Sequence, residues 1–249
     1  TDVSGMFMDC RALTDLRPLG EWKVNNIKNM WGLFLECQSL SDLSPLANWD
    51  TGNVTTMDSL FDGCLSLTDL APLANWNIGS VTDIGGMFSC CSSLTDLSPL
   101  ANWNIGGVTN ISGMFSRCTS LTNLSPLANW DIGNVTSMKA LFRDCTSLSD
   151  LSPLTGWNTK NVTDMTELFN KCTSLSSLNG LEHWDTKSVT NMYLMFHGCT
   201  QLTDASAIND WDISNVTDFV GMFEDCSSHP EFTKRTGTWS KYGTFEPTT

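Results

Sequence analysis

The sequence predicts an α/β repeat solenoid, with a parallel sheet on one face and short helices on the other, and three observations carry that prediction. Phe recurs at Phe7, Phe34, Phe61, Phe88, Phe115, Phe142, Phe169, Phe196 and Phe223, a step of 27 residues, and Cys follows three residues later in every copy, from Cys10 to Cys226. Trp keeps the same step from Trp22 to Trp211. No insertion interrupts the period between Phe7 and Phe223. A fixed period in this range marks stacked supersecondary units, each of which buries its apolar face only against its neighbours.

One copy, Val81 to Val108, serves to read the elements in order. Val81, Ile84, Met87, Phe88 and Cys91 follow three- and four-residue steps, which predicts a short helix with one apolar face. Thr82 is placed as its N-cap, and Asp83, Asp164 and Asp218 fall where a helix dipole favours acid. Next comes Leu94-Thr95-Asp96-Leu97, short and in register between copies, which predicts one strand per coil, stacked ~4.8 Å from the next. Pro18, Pro45, Pro72, Pro99, Pro126 and Pro153 lack an N–H and belong just outside that ladder. Leu100, Trp103, Ile105 and Val108 return the chain to the core.

The later copies are less regular: Leu178 to Trp184 loses both the Asp and the Pro, and the following copy gives Asp204-Ala205-Ser206-Ala207-Ile208. After Cys226 the pattern stops. Residues 1–226 therefore read as a solenoid of about eight and a half coils, and 227–249, with Phe232, Trp239, Tyr242 and Phe245, as a C-terminal cap on the last coil. The chain opens in mid-repeat at Thr1-Asp2-Val3, which reads as a fragment of a longer protein and leaves the parent's targeting segments out of view.

Composition narrows the function. Apolar residues make up 41% of the 249 residues and charged residues 16%, and no run approaches the ~20 apolar residues of a membrane span, so this segment is not expected to insert in a bilayer. The net charge is −14. Between Asn29 and Ser116 there is no Lys or Arg, while Glu36, Asp42, Asp50, Asp58, Asp62, Asp69, Asp83 and Asp96 all fall there. A nucleic-acid partner is disfavoured, because phosphate binding rests on clustered cations. Basic proteins or cations fit better. Nine of the ten cysteines share one column and read as a ladder of buried free thiols, with Cys90 outside it.

The run Val-Thr-x-Met-x-x-Met-Phe-x-x-Cys-x-x-Leu followed by Leu and Trp-Asp, at Val54 to Leu67 and most closely at Val189 to Leu202, resembles the BspA-like leucine-rich repeats. The Trp-Asp-Thr-x-x-Val-Thr form at Trp49 to Thr55 and Trp184 to Thr190 is similar to the surface-protein branch of that family. The resemblance covers residues 1 to about 226 and implies a leucine-rich-repeat solenoid, secreted or at the cell surface, with a role in adhesion to host proteins, cells or other microbes. The 27-residue length and the inserted Ser-Pro-Leu-Ala-Asn depart from common members.

Among candidate sites the sharpest is an acidic column, Asp15, Asp42, Asp69, Asp96, Asp150 and Asp204, interrupted by Asn123 and Ser177 and expected to point outward from the sheet. Like charges ~4.8 Å apart repel by about 1 kcal/mol in water and about 3 kcal/mol at an effective dielectric of 20, so such a line asks for a basic partner or counter-ions. The competing reading is that each Asp bonds local backbone. A second column, Thr55 to Thr217, suits either an ice-like lattice or, more economically, helix capping. Asp50, Asp131, Asp185 and Asp212 beside the Trp column suggest calcium loops, but they alternate with Asn77, Asn104 and Asn158, as turn residues do. Sequons stand at Asn53, Asn110, Asn123, Asn134, Asn161 and Asn215 and follow from the repeat. His183, His197 and His229 share no column, so the cysteines have no converging His, and neither a metal nor a cofactor is expected. No catalytic constellation stands out. The sequence therefore reads as a non-enzymatic, monomeric, extracellular binding or adhesion module that recognises a protein or glycan through its sheet face, with a structural stalk of a larger surface protein as the alternative.

Overall fold

The computed structural model describes residues 2–248, which wind as a repeat solenoid. Parallel β-bridges join residues 27 apart in an unbroken series, from Asp2 and Asn29 through Thr56, Asp83, Asn110, Ser137, Asp164 and Asn191 to Asp218. Among the described residues there is no α-helix, so the helix expected over Val81 to Cys91 and its equivalents does not form. The bridges run through that very segment.

The reason lies in how its backbone groups are shared. The N–H groups of Ile84, Gly86, Phe88 and Cys90 donate to the carbonyls of Asn110, Ser112, Met114 and Ser116 in the next coil, while those of Met87, Ser89 and Cys91 donate three residues back to Ile84, Gly86 and Phe88. Alternate residues thus bond within the coil and between coils, and every amide from Ile84 to Cys91 finds a partner. That alternation needs left-handed backbone twice per coil, as at Gly86 and Cys90, both at φ 58°. Val81, Ile84, Met87, Phe88 and Cys91 are all buried, as a helix would have buried them, but from a different backbone.

The strand expected over Leu94 to Leu97 is absent as well. Asp96 Oδ1 accepts the Ser98 N–H at 2.8 Å and turns the chain into a 3-10 helix, Ser98–Leu100, with Pro99 inside it. The same three-residue turn recurs at Arg17–Leu19, Ser44–Leu46, Ala71–Leu73, Ser125–Leu127, Ser152–Leu154 and Ser206–Ile208. Among the described residues this side forms one bridge, between Ser177 and Asp204, where the pattern weakens.

The core is a set of stacked columns. Successive Phe rings lie parallel, Phe34 and Phe61 at 5.6 Å and 5°, and Trp49 and Trp76 stack at 6.2 Å and 7°. Each Trp Nε1 from Trp49 to Trp211 donates to the carbonyl of the Leu 30 residues earlier, at 2.9–3.1 Å, so the ring both fills the core and ties two coils together. Past Cys226 a hairpin of β1, Gly237–Trp239, and β2, Phe245–Pro247, packs against the last coil: Trp239 meets Phe223 edge-on at 5.2 Å, and Phe245 meets Phe219 at 5.4 Å. Arg235 donates to the Ile213 and Val216 carbonyls at 2.8 and 2.9 Å.

Candidate functional site

The acidic column stands at the entry to the 3-10 turns, not on a continuous sheet. In Asp15, Asp42, Asp69, Asp96, Asp150 and Asp204, Oδ1 accepts the N–H of the second following residue at 2.8–2.9 Å, and Asn123 does the same for Ser125. A short side-chain acceptor two residues before a turn is the usual partner for such an amide. Local backbone bonding therefore accounts for one oxygen of each carboxylate. All six side chains are exposed, and the column crosses the coils in one line.

Their electrostatics follow from these bonds. The hydrogen bonds from Ser44, Ser98 and Ser206 hold Asp42, Asp96 and Asp204 below the ordinary carboxylate pKa of 3.8. Asp15 is drawn down to about 2 by Arg17, whose guanidinium reaches its Oδ2 at 2.7 Å. Among the described residues, Asp42, Asp69, Asp96, Asp150 and Asp204 form no ion pair. The seventh copy interrupts the line: Ser177 is half-buried there, and Glu182 Oε2 accepts the Gly180 N–H at 2.8 Å.

The remaining candidates are absorbed by the scaffold. Each Thr from Thr55 to Thr217 donates its hydroxyl at 3.0–3.3 Å to a carbonyl 27 residues earlier, so it links coils and caps no helix. Asp50, Asp131, Asp185 and Asp212 accept the N–H two residues on, as Asn77, Asn104 and Asn158 do, all at 3.0–3.4 Å. The amides of Asn53, Asn134, Asn161 and Asn215 donate to carbonyls 28 residues earlier.

The cysteines are free, with Cys37, Cys64, Cys91, Cys118, Cys145, Cys172 and Cys199 buried and Cys10 exposed. They are more than apolar filler: from Cys37 to Cys226 each thiol of the 27-residue column, Cys90 standing outside it, donates to the carbonyl of the Phe 30 residues earlier, at 3.0–3.4 Å. Burial pushes the Cys37 thiol up to about 11 and raises the deeper thiols further.

One column was missed by sequence reasoning. Asp2, Asn29, Thr56, Asp83, Asn110, Ser137, Asp164, Asn191 and Asp218 carry the bridges, and each side-chain oxygen accepts the N–H two residues on at 2.8–3.4 Å. The signal was present: this position holds only Asp, Asn, Ser or Thr in every copy, the residues that bond their own backbone.

A family model described as "Mycoplasma protein of unknown function, DUF285" matches residues 1–123, 91–181 and 149–243. Among curated proteins none matches. Solved structures similar to the chain include a leucine-rich cell surface protein from Faecalibacterium prausnitzii A2-165, at 20% identity and a TM-score of 0.39, covering 78% of this chain and 42% of that one. An internalin from Listeria monocytogenes is similar at 18% identity and a TM-score of 0.30, over 87% of this chain and 71% of that one. A leucine-rich repeat protein from Bacteroides ovatus is similar at 14% identity and a TM-score of 0.26, over 90% and 79%. The chain spans less than half the length of the Faecalibacterium protein.

Proposed function

The chain belongs to the DUF285 family, and we propose that it is a binding module of a cell-surface protein that engages a basic protein partner along its acidic column. The observation that carries this reading is the unpaired carboxylate line. Oδ1 of Asp42, Asp69, Asp96 and Asp150 is fixed by a backbone N–H, no Lys or Arg among the described residues pairs with these carboxylates, and the coil rise sets the spacing. Fixed carboxylates of this kind are preorganised for Lys and Arg, because the ordering of the side chains is already complete before the partner arrives. The absence of Lys and Arg from Asn29 to Ser116 leaves the field over these coils undiluted and favours fast, salt-sensitive encounter. The resemblance of the repeat to BspA-like leucine-rich repeats supports a place outside the cell and a role in adhesion. No catalytic step is assigned, since the distinctive residues recur in every coil and serve the scaffold.

The test is binding of the purified chain to a panel of matrix proteins, whole cells and glycans, beside a variant with Asp42, Asp69 and Asp96 changed to Asn. Saturable binding by the wild type that salt weakens and the variant loses is expected. A folded wild type that binds nothing on the panel would favour the stalk.

A further inference from the structure

We infer that the face carrying the bridge ladder is a dimer interface, and that its occupant is a second copy of this chain laid antiparallel across it. This departs from the monomer expected from the sequence. Counted by their bridging residues, the first seven coils begin at Asp2, Asn29, Thr56, Asp83, Asn110, Ser137 and Asp164, and the series runs on unbroken to Asp218. The core columns repeat Phe, Cys and Trp, but the outward columns on this face change from coil to coil. The position that holds Trp31 in the second coil holds Asp58 in the third and Lys139 in the sixth.

Charge is sorted along this face. Acid stands in the second and third coils, at Glu36, Asp58 and Asp62, and cations stand in the sixth and seventh, at Lys139, Arg143 and Lys171. None of the three acids, and neither lysine, forms an ion pair among the described residues. Arg143 is already engaged, with Glu167 at 2.7 Å and Asp144 at 3.3 Å. Burial raises Asp58 and Asp62 above 3.8, and the charges of Asp83 and Glu36 add to it, so these carboxylates are crowded by their like.

The two halves match in position as well as in sign. A two-fold axis lying in the face, perpendicular to the solenoid axis and between the fourth and fifth coils, keeps each column on itself. It exchanges the second coil with the seventh and the third with the sixth. Glu36 then meets Lys171, Asp58 meets Lys139 and Asp62 meets Arg143, because the members of each couple stand a whole number of repeats apart. The symmetry makes every such contact twice. An axis along the solenoid would instead lay Asp58 on Asp58 and Lys139 on Lys139, which like-charge repulsion disfavours.

The centre of the face permits close approach. The axis exchanges Gly85, Gly86 and Ser89 with Ser112, Gly113 and Ser116, so no long side chain in these columns holds the copies apart. Six coils ~4.8 Å apart and about 20 Å wide cover roughly 600 Å² of each copy, the size of a weak but specific contact.

The experiment is sedimentation velocity of the full chain over a range of concentrations at physiological ionic strength. A monomer-dimer equilibrium that added salt weakens is expected. Glu36→Lys and Lys171→Glu each set like charges against one another twice per dimer and should weaken self-association about tenfold or more, with an unchanged circular dichroism spectrum. An equimolar mixture of the two variants should restore it, because each then faces its complement. Asp58→Lys and Lys139→Asp provide a second such couple if a member of the first fails to fold. The Asp42, Asp69 and Asp96 triple Asn variant should dimerise like the wild type, which separates this interface from the acidic column. A chain that stays monomeric up to its limit of solubility would overturn the inference, as would single variants that dimerise like the wild type or a mixture that stays monomeric.

Discussion

Asn123 separates the two roles of the acidic column. It makes the same turn-closing bond to Ser125, at 2.9 Å, that its Asp counterparts make, without their charge. Asp96→Asn should therefore keep the 3-10 turn and shift the denaturation midpoint little at neutral pH, while removing one unit of the surface field. The acid limb of stability should respond differently. The folded pKa of Asp15 is depressed from 3.8 to about 2, so its contribution is complete above 3.8 and is lost as pH falls through that window; Asp15→Asn flattens this part of a stability-versus-pH curve. Burial raises Asp58 and Asp62, whose effect has the opposite sign, with the folded state favoured as they take up protons. In the core, Phe115→Ala should cost roughly 3–5 kcal/mol in denaturant unfolding. Trp130→Phe keeps most of the packing and removes one of the two bonds on the Leu100 carbonyl, which keeps the Trp103 N–H, for about 0.5–1.5 kcal/mol. A thiol reagent applied to the native chain should modify Cys10, Cys90 and Cys226 ahead of the seven buried cysteines, which react at comparable rates only on unfolding.

The element that decides the fold is the Val-to-Cys run, and its conformation has an optical signature. Far-ultraviolet circular dichroism should lack the paired minima of α-helix, since none is present among the described residues; a strongly helical spectrum would contradict the alternating ladder. Gly113 provides a local test. Its φ is 65° and an added methyl would meet nothing nearer than the Gly86 nitrogen at 4.0 Å, so Gly113→Ala should lose about 1 kcal/mol from backbone strain alone. What the sequence allowed and withheld divides here. The buried set was legible, because a 27-residue step can only align Phe with Phe and Trp with Trp. The backbone was not, because apolar residues at Val81, Ile84, Met87, Phe88 and Cys91 satisfy both a helical face and a coil that bonds alternately to itself and its neighbour. Two of the clues were present but carried less weight than periodicity: Gly at positions 5, 32, 86, 113 and 221, and the unbroken Asp, Asn, Ser and Thr column beginning at Asp2. The acidic column was found, but it was assigned to a sheet face because the turn it closes depends on one oxygen bonding two residues ahead.

At the scale of the molecule, almost every column contributes one bond from each coil to the next: the Thr hydroxyls, the Trp indoles, the Cys thiols and the backbone ladder. Stability is then a chain of neighbour terms, and damage in one coil should weaken the two beside it more than distant ones. The surface departs from this uniformity. Acid dominates from Glu36 to Asp96, and cations flank that stretch on both sides, from Arg11 to Lys28 and from Arg117 onward, so charge varies along the solenoid axis although its core repeats. That cation-free acidic stretch underlies the proposed binding surface. The proposal that the acidic column is a binding surface is tested most directly by amide chemical shifts during titration with hexalysine. The N–H groups of Ser44, Ala71 and Ser98 donate to Asp42, Asp69 and Asp96, and should move together and saturate, with the movement suppressed by salt. Shifts that spread over all acidic residues alike, or that leave these three amides in place, would contradict it.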